Sequence, residues 1–332
     1  MNIIKASAEL WKVDCLDPKA IMRHIERAGR VCYKSEDRIT DESCEKFIDG
    51  ILRRGHHAVI EHGNMVIYAR GDAEAYLNNL RNILSNFPVY LRTTVNISPE
   101  TEIGMGMFVS GNIRAWRDVL TDALNLGLWI PAALEATLSE FGILFEDVLN
   151  MNRYGKPGWV KPVYNVEECH IVDPALMTLP DRKVHETFTV RFVCDRGISH
   201  EIVRHRPASY CQESTRYCNY TGGKFGGEIT VIEPCFWQDT ASKEYETWRS
   251  ACASAELYYI QLIESGATPQ QARSVLPNSL KTEVVMTARA DEWIHFFKLR
   301  TAEAAHPQMR EVAKQAYALL KEADPVLFDG IC

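Results

Sequence analysis

Hydrophobic positions along this chain recur mostly with the period of a helix and in a few places with that of a strand. Asp17-Pro18 precedes Ile21, Ile25 and Ala28 on one side, which predicts an aspartate N-cap, a proline in the first turn and an amphipathic helix. Thr40 starts a second helical stretch, with Cys44, Phe47, Ile48 and Ile51 on one face and Gly55 as its stop. Met65 to Tyr68 and Phe188 to Phe192 are apolar or alternating, and predict strands. Trp248, Cys252, Ala255, Tyr259, Leu262 and Ile263 stripe one long helix from about Ser242 to Ser265. Thr268-Pro269 opens a short helix that Pro277 closes. Met309, Val312, Ala313, Ala316, Tyr317 and Leu320 face one way in a last helix that is over by Asp324-Pro325.

The middle of the chain, residues 72–186, has a different texture. Helical pieces appear at Tyr76, Leu77, Leu80, Ile83 and Leu84, at Trp116 to Leu126 and at Pro131 to Phe141. The segment NMNRYGKPGW at 150–159 mixes Gly and Pro with polar and aromatic residues, as a linker or lid does. No low-complexity segment and no exact repeat stands out. These patterns predict a domain assembled from 1–71 and 187–332, with 72–186 as a mainly helical insertion.

Composition narrows the class. The 332 residues are 46% apolar and 24% charged, ordinary values for a folded protein. No run of 18 apolar residues predicts a membrane span, and the first residues do not resemble a secretory leader. The ten cysteines include no C-x-x-C pair, so a zinc ribbon is not indicated, and they read as reduced thiols of a cytoplasmic protein. The net charge of −7 speaks against nucleic acid as a partner.

That acidic average conceals a basic cluster. Arg204, His205, Arg206, Ser209, Ser214 and Arg216 fall within one short segment. Guanidinium forks and hydroxyls suit phosphate oxygens, so the cluster predicts a phosphate or nucleotide site. His56, His57 and His62 raise the question of a metal, but His57 and His62 are five apart, awkward for one helical face, and no metal is expected. Ser214 has no evident acid–histidine relay, which favours ligand binding over a nucleophilic role. Cys211 reads as a packed thiol.

Arg204-His205-Arg206, seven residues and Ser214 resemble the Arg-His-Arg-x7-Ser signature of the flavin-dependent thymidylate synthases. Other segments match that family in order. Gly55-His56 through Glu61-His62 resembles its Gly-His-x4-Glu-His segment, and Ala272-Arg273-Ser274-Val275-Leu276-Pro277 its Ala-Arg-x-x-Leu-Pro segment. Trp293 to Arg300, followed by His306 to Arg310, is similar to its late helix pair. Ala28 to Tyr33 resembles its early Ala-x-Arg-Val-Ser-Tyr segment, with Cys32 in the place of serine. The resemblance covers about 1–71 and 187–325.

The resemblance implies an α+β fold of the thymidylate synthase-complementing type, a mixed sheet packed by helices, in a homotetramer with shared sites. It implies C5 methylation of dUMP to dTMP with FAD as cofactor, and NADPH and methylenetetrahydrofolate as co-substrates. Arg204, His205 and Arg206 would contact FAD, with His56, Gln212 and His295 near flavin or folate. Glu201, Arg204, Ser214, Arg216, Arg273 and Arg300 would bind the nucleotide. Arg300 and Ser214 would serve the reaction itself, Arg300 by favouring the electron-rich, N3-deprotonated uracil. A methylase of UMP or another pyrimidine nucleotide, or a non-catalytic nucleotide- or flavin-binding relative, are the alternatives.

Three positions depart from the family pattern. Gln212 stands for a usual glutamate, and Glu201 for a common glutamine. The late Asn-x-Arg that helps hold FAD reads Arg289-Ala290-Asp291, which puts an acid where a cation would face a diphosphate. A second Asn-x-Arg, Asn112-Ile113-Arg114, lies inside 72–186. If that segment takes over the flavin work, Asn112 and Arg114 join the cofactor-binding residues. The competing expectation is an ordinary amphipathic helix start with Trp116 in the core.

Overall fold

A computed structural model of the chain describes residues 1–83, 90–96, 106–154 and 164–332. Strands β1 (Asn2–Ile4) and β2 (Ser7–Trp11) precede helix α1 (Pro18–Tyr33), which starts where Asp17 accepts from the Lys19 N–H at 2.8 Å. Helix α2 (Ser43–Arg53) buries Cys44, Phe47, Ile48 and Ile51, the four residues its periodicity singles out. A short 3-10 turn over Val59–His62 leads into β3 (Asn64–Gly71). Then come α3 (Ala73–Ile83), β4 (Arg92–Asn96) and β5 (Gly106–Asn112). Helices α4 (Ile113–Asn125), α5 (Ala132–Ser139) and α6 (Glu146–Tyr154) follow, then β6 (Val166–Ile171) and α7 (Leu179–His185).

Strand β7 (Thr187–Asp195) runs directly into α8 (Arg196–Ile202), and β8 (Ser209–Gln212) and β9 (Thr230–Ile232) come next. Helix α9 (Lys243–Glu264) begins at the N-cap Ser242, as its pattern predicts, and buries Tyr245, Cys252 and Tyr259. The short α10 (Pro269–Ala272) carries a reciprocal Thr268/Gln271 capping box. The chain closes with β10 (Lys281–Arg289), α11 (Ala290–Arg300), α12 (Pro307–Ala323) and α13 (Pro325–Phe328). Among the described residues no helix is long and apolar enough to cross a membrane.

The chain divides into two compact units. The first holds Met1–Trp11, Ala28–Asp37 and Phe188–Cys332; the second holds Lys12–Arg27 and Arg38–Thr187. This partition differs from the one drawn on the sequence at residue 72. Strand β3 ends there, and its ladder partners β5 and β6 both come from the expected insertion. The middle segment keeps its expected helices but also supplies three of the four strands of a sheet. Asn150 to Tyr154, expected in a loop, close α6 instead, while Leu84 and the rest of the expected loop, 155–159, lie outside the described residues.

In the first unit the sheet order is β2-β7-β10-β8, with β1 and β9 as a separate parallel pair. The β2–β7 and β8–β10 ladders are antiparallel. Parallel and antiparallel pairing therefore both occur in this unit, in keeping with the α+β fold expected. Phe192, Trp293, Phe296, Phe297, Val312 and Phe328 pack under this sheet, with Trp293 and Phe297 stacked at 5.5 Å. The Trp293 indole N–H, which burial would otherwise leave unpaid, donates to the Phe188 carbonyl at 3.0 Å.

In the second unit the order, written from the opposite edge, is β6-β3-β5-β4, with every ladder antiparallel. The two units thus share a strand plan. In each, an inner strand (β7 or β3) leads to a helix (α8 or α3), then to an edge strand (β8 or β4). The next inner strand (β10 or β5) runs without a break into a helix (α11 or α4). Arg289-Ala290-Asp291 sits at that last joint in the first unit, and Asn112-Ile113-Arg114 sits at it in the second.

Candidate functional site

The signature segment lies between α8 and β8. Asp195 caps α8 by accepting from the Ile198 N–H at 2.8 Å, and Gln308 donates to its other oxygen at 2.9 Å. At the far end of α8, the Tyr210 hydroxyl reaches back to the carbonyls of Ile202 and His205, at 3.0 and 2.6 Å. This clamp turns His205 inward, 8% exposed, and leaves Arg204 and Arg206 exposed. The buried ring meets Phe296 edge-on at 4.7 Å, with the exposed His295 at 6.1 Å.

Burial first, and then the neighbouring Arg300 and His295, hold the His205 pKa down at about 4, so its ring is neutral near pH 7. A neutral ring has a nitrogen able to accept, and Arg300 Nε donates to His205 Nε2 at 2.7 Å. The same guanidinium donates to the Glu201 carboxylate at 2.9 Å and to the Glu201 carbonyl at 3.3 Å. Glu201, expected among the nucleotide-binding residues, is therefore the carboxylate that positions Arg300. Glu303, the nearer acid in sequence, is not.

At the other end of β8 the chain turns through Glu213 to Tyr217. The Gln212 amide donates to the Ser199 hydroxyl at 2.9 Å and to Thr282 at 3.3 Å, which anchors the strand end. The Ser214 N–H donates to the Cys32 carbonyl at 3.2 Å, and Ser214 Oγ accepts from the Arg216 N–H at 3.3 Å. Arg273 donates to the Thr215 hydroxyl at 3.2 Å, so the Ala-Arg-x-x-Leu-Pro segment meets the signature turn. The Arg216 guanidinium lies 5.6 Å from the Tyr217 ring centroid.

Arg204, Arg206, Arg216 and Arg273 make no ion pair among the described residues. Strand β8 separates the first two from the last two by roughly 10 Å at ordinary strand rise. Arg289 behaves otherwise: 7% exposed, it is held by Asp291 at 3.1 Å and Glu292 at 3.0 Å. The charge reversal at Asp291 is thus absorbed locally, and this joint presents no cation to a diphosphate.

A buried charge network beside the turn escaped the sequence reading. Glu213 and Glu283, 2% and 3% exposed, meet Lys281, and Lys34 pairs with Glu283. Arg191 donates to Glu283 at 2.8 Å. Burial acts to raise the Glu283 pKa, but Lys281 and Lys34 outweigh it and hold the carboxyl at about 2. Lys34 sits just past α1 at φ +48°, a left-handed conformation that costs a side-chain-bearing residue about 1–2 kcal/mol. Polar residues alternating within an apolar strand, Lys281 and Glu283, were the available signal. A cavity of about 510 Å³ is lined by Lys34, Glu36, Glu213, Tyr220 and Lys281.

In the second unit, the Gly-His-x4-Glu-His segment ends at the start of β3, and the Ile113 N–H donates to the Gly63 carbonyl at 2.8 Å. A Cβ at Gly63 would come within 2.6 Å of the Ile25 side-chain tip, so a larger residue there would push that side chain aside. His56 is exposed and His62 buried. Asn112 caps α4, its side chain accepting from the Ala115 N–H at 2.8 Å, and Trp116 is buried behind it. The helix-start expectation therefore holds. Arg114, half-exposed, donates to Glu61 at 2.7 Å and lies 3.5 Å from Asp118. Arg117 forks onto Asp147 at 2.7 and 2.6 Å. These residues border a cavity of about 690 Å³ in which Glu61, Asp118, Asp122 and Asp147 outnumber the two arginines.

Residues 184–326 match the family described as thymidylate synthase complementing protein. A flavin-dependent thymidylate synthase of Geobacter sulfurreducens is 35% identical over 160 residues, 46% of this chain and 65% of that protein. One from Pyrococcus furiosus is 34% identical over 146 residues, 43% of this chain and 57% of that one. The chain thus spans less than two thirds of the length of these relatives. Among solved structures, a UMP/dUMP methylase of Streptomyces cacaoi bound with 5-Br dUMP aligns at a TM-score of 0.40 and 15% identity, over 99% of this chain and 96% of that one. Thymidylate synthase X of Helicobacter pylori, with FAD and dUMP, aligns at 0.36 and 20% identity, over 44% and 72%.

Proposed function

We propose, from the match of residues 184–326 to the thymidylate synthase complementing protein family, that this chain methylates dUMP at C5 to give dTMP. The observation that carries the reading is the set of four arginines, Arg204, Arg206, Arg216 and Arg273, that have no carboxylate partner among the described residues. Such guanidiniums suit the phosphates of two ligands. Ser214 and Arg216, on one turn, and Arg273, which reaches that turn at Thr215, take the nucleotide phosphate. Arg204 and Arg206, at the other end of β8, take the diphosphate of FAD, with His205 and Gln212 fixing the two ends of the strand between them. FAD, reduced by NADPH, supplies the transfer of the methylenetetrahydrofolate carbon and a hydride.

Arg300 serves the pyrimidine. Three of its N–H groups are engaged by Glu201 and His205, which fixes the plane of the guanidinium. Its remaining donors face the uracil and favour the ring deprotonated at N3. Neutral His205 is part of that arrangement, because a protonated ring could not accept from Arg300. His295, exposed beside His205, and His56 lie toward flavin or folate. Arg114, with donors left over from Glu61, adds to the flavin contacts, and Asn112 holds the helix start that carries it. The working protein is a homotetramer in a reducing cytoplasm, and 72–186 is a built-in part of the enzyme rather than a separable module.

The test is tritium release from 5-labelled dUMP, and in parallel from UMP, with methylenetetrahydrofolate and NADPH. Purified protein is expected to be yellow, to release tritium from dUMP and to bleach faster with NADPH when dUMP is present. Release from UMP alone would move the substrate to the ribonucleotide. A colourless protein that holds neither nucleotide would overturn the proposal.

A further inference from the structure

The turn that carries Ser214 and Arg216 leaves its sheet at one residue. The β8–β10 ladder runs to Gln212 opposite Val284, and the Glu213 N–H makes one more bond to β10, at the Glu283 carbonyl, 2.9 Å away. The next N–H, that of Ser214, has already turned to the Cys32 carbonyl in the last turn of α1, at 3.2 Å. Each remaining polar group of Glu213 also has a partner. Arg196 donates to its carbonyl at 3.3 Å, Lys281 to one carboxylate oxygen at 2.8 Å and the Tyr220 hydroxyl to the other at 3.5 Å. Tyr220 lies past the exit of the turn, where the Tyr217 and Cys218 N–H groups both donate to the Ser214 carbonyl at 3.1 Å. The Glu213 side chain thus ties the entry of the turn to its exit.

Stability alone does not call for an ion pair here. Glu213 is 2% exposed and the Lys281 side chain 16%. Taking two charges out of water costs much of what their attraction returns, and a well-packed apolar pair of similar volume is often as stable. What the ion pair adds is direction, because a charged N–H fixes the oxygen it meets. Burial acts to lower the Lys281 pKa, but Glu213 and Glu283 outweigh it and raise it, so the ammonium stays charged. Lys34 lies 3.9 Å from the same Glu213 oxygen and is itself paired with Glu283.

We propose, on the nucleotide reading of this turn, that Lys281 is a positioning residue for the nucleotide: acting through Glu213, it holds Ser214 and Arg216 where they meet the phosphate, without touching the ligand. Glu213 immediately precedes Ser214, and Thr215, where Arg273 docks, follows. A shift at Glu213 therefore moves every phosphate contact of the turn. Arg204 and Arg206 precede the far end of β8, so the pair acts on the nucleotide and not on FAD.

The full chain is titrated with dUMP by calorimetry as wild type, Lys281→Met, Glu213→Gln and the double variant, and the flavin absorbance of each purified protein is read alongside. Each single change should weaken dUMP binding about tenfold, and the double change should add no more than about twofold to the larger single loss, because one device cannot be lost twice. Flavin content should stay at the wild-type level in all three. Wild-type dUMP affinity in Glu213→Gln would overturn the proposal, as would single losses that multiply in the double variant. Flavin content that falls in step with dUMP affinity would also overturn it, since a loosened fold is then the cause. If Lys281→Met does not fold, Glu213→Gln, which leaves Lys281 paired with Glu283, decides by itself. A wild-type protein that binds no dUMP would instead refute the nucleotide reading.

Discussion

Arg300, His205 and Glu201 form a triad in which each member sets the state of the next. The carboxylate and the neutral ring hold the guanidinium, and the guanidinium helps keep the ring neutral. Replacing Arg300 with Ala should raise the His205 pKa, measurable by NMR titration of the imidazole. The sign of the stability effect follows from linkage. His205 titrates at about 4 when folded and about 6.5 when unfolded, so the unfolded chain takes up the proton first as pH falls. Stability should therefore drop between about pH 6.5 and 4, with His24, also held at about 4 by burial, adding to it. Urea midpoints across that range, with His205→Gln flattening the curve, test this. At the phosphate turn, Arg216→Ala should weaken dUMP binding by roughly 10- to 100-fold, the value of a charge-assisted hydrogen bond of about 1.5–3 kcal/mol, read by calorimetry.

Elements set these residues in place, and two strand–helix joints carry the contrast. At the β10–α11 joint, Arg289 is spent on Asp291 and Glu292; at the β5–α4 joint, Asn112 caps the helix and Arg114 reaches out. Asn112→Ala should lower stability by about 1 kcal/mol through loss of the cap, seen in the denaturation midpoint. Arg114→Ala removes a half-exposed pair worth under about 1 kcal/mol, so the fold should survive while flavin content falls strongly. Unchanged flavin content would remove Arg114 from the site. Strand β10 carries a different liability. Glu283→Gln removes the carboxylate shared by Lys281, Lys34 and Arg191, leaves Glu213 as the one buried acid against them in this network, and should cost about 3–5 kcal/mol, measured by urea denaturation.

On the scale of the whole molecule, two units with the same strand plan divide the family's motifs between them. The first holds Arg-His-Arg-x7-Ser, Arg273 and Arg300; the second holds the Gly-His-x4-Glu-His segment and Asn112-Ile113-Arg114. The molecule is acidic overall, at −7, so the proposed binding of an anionic nucleotide would rest on local arginines against an unfavourable field. Binding of dUMP should weaken as salt rises from low to physiological ionic strength, because screening acts directly on the exposed Arg216 contact. Affinities measured at several salt concentrations give the slope.

The sequence by itself determined several of the helices and the spacing of the signature. Periodicity at Cys44, Phe47, Ile48 and Ile51, the caps at Asp17 and Ser242, and the fixed spacing from Arg204 to Ser214 are local properties that need no partner. It was silent on the strands of the middle segment and on the shared strand plan, because ladders join residues far apart, such as Ile67 to both Val109 and Ile171. The partners of charged residues were likewise beyond it. Arg300 meets Glu201 rather than Glu303, and Asp291 is absorbed by Arg289. Which charge neutralises which is decided by packing of distant segments, so only the tertiary structure distinguishes the arginines left to meet a ligand from those already taken.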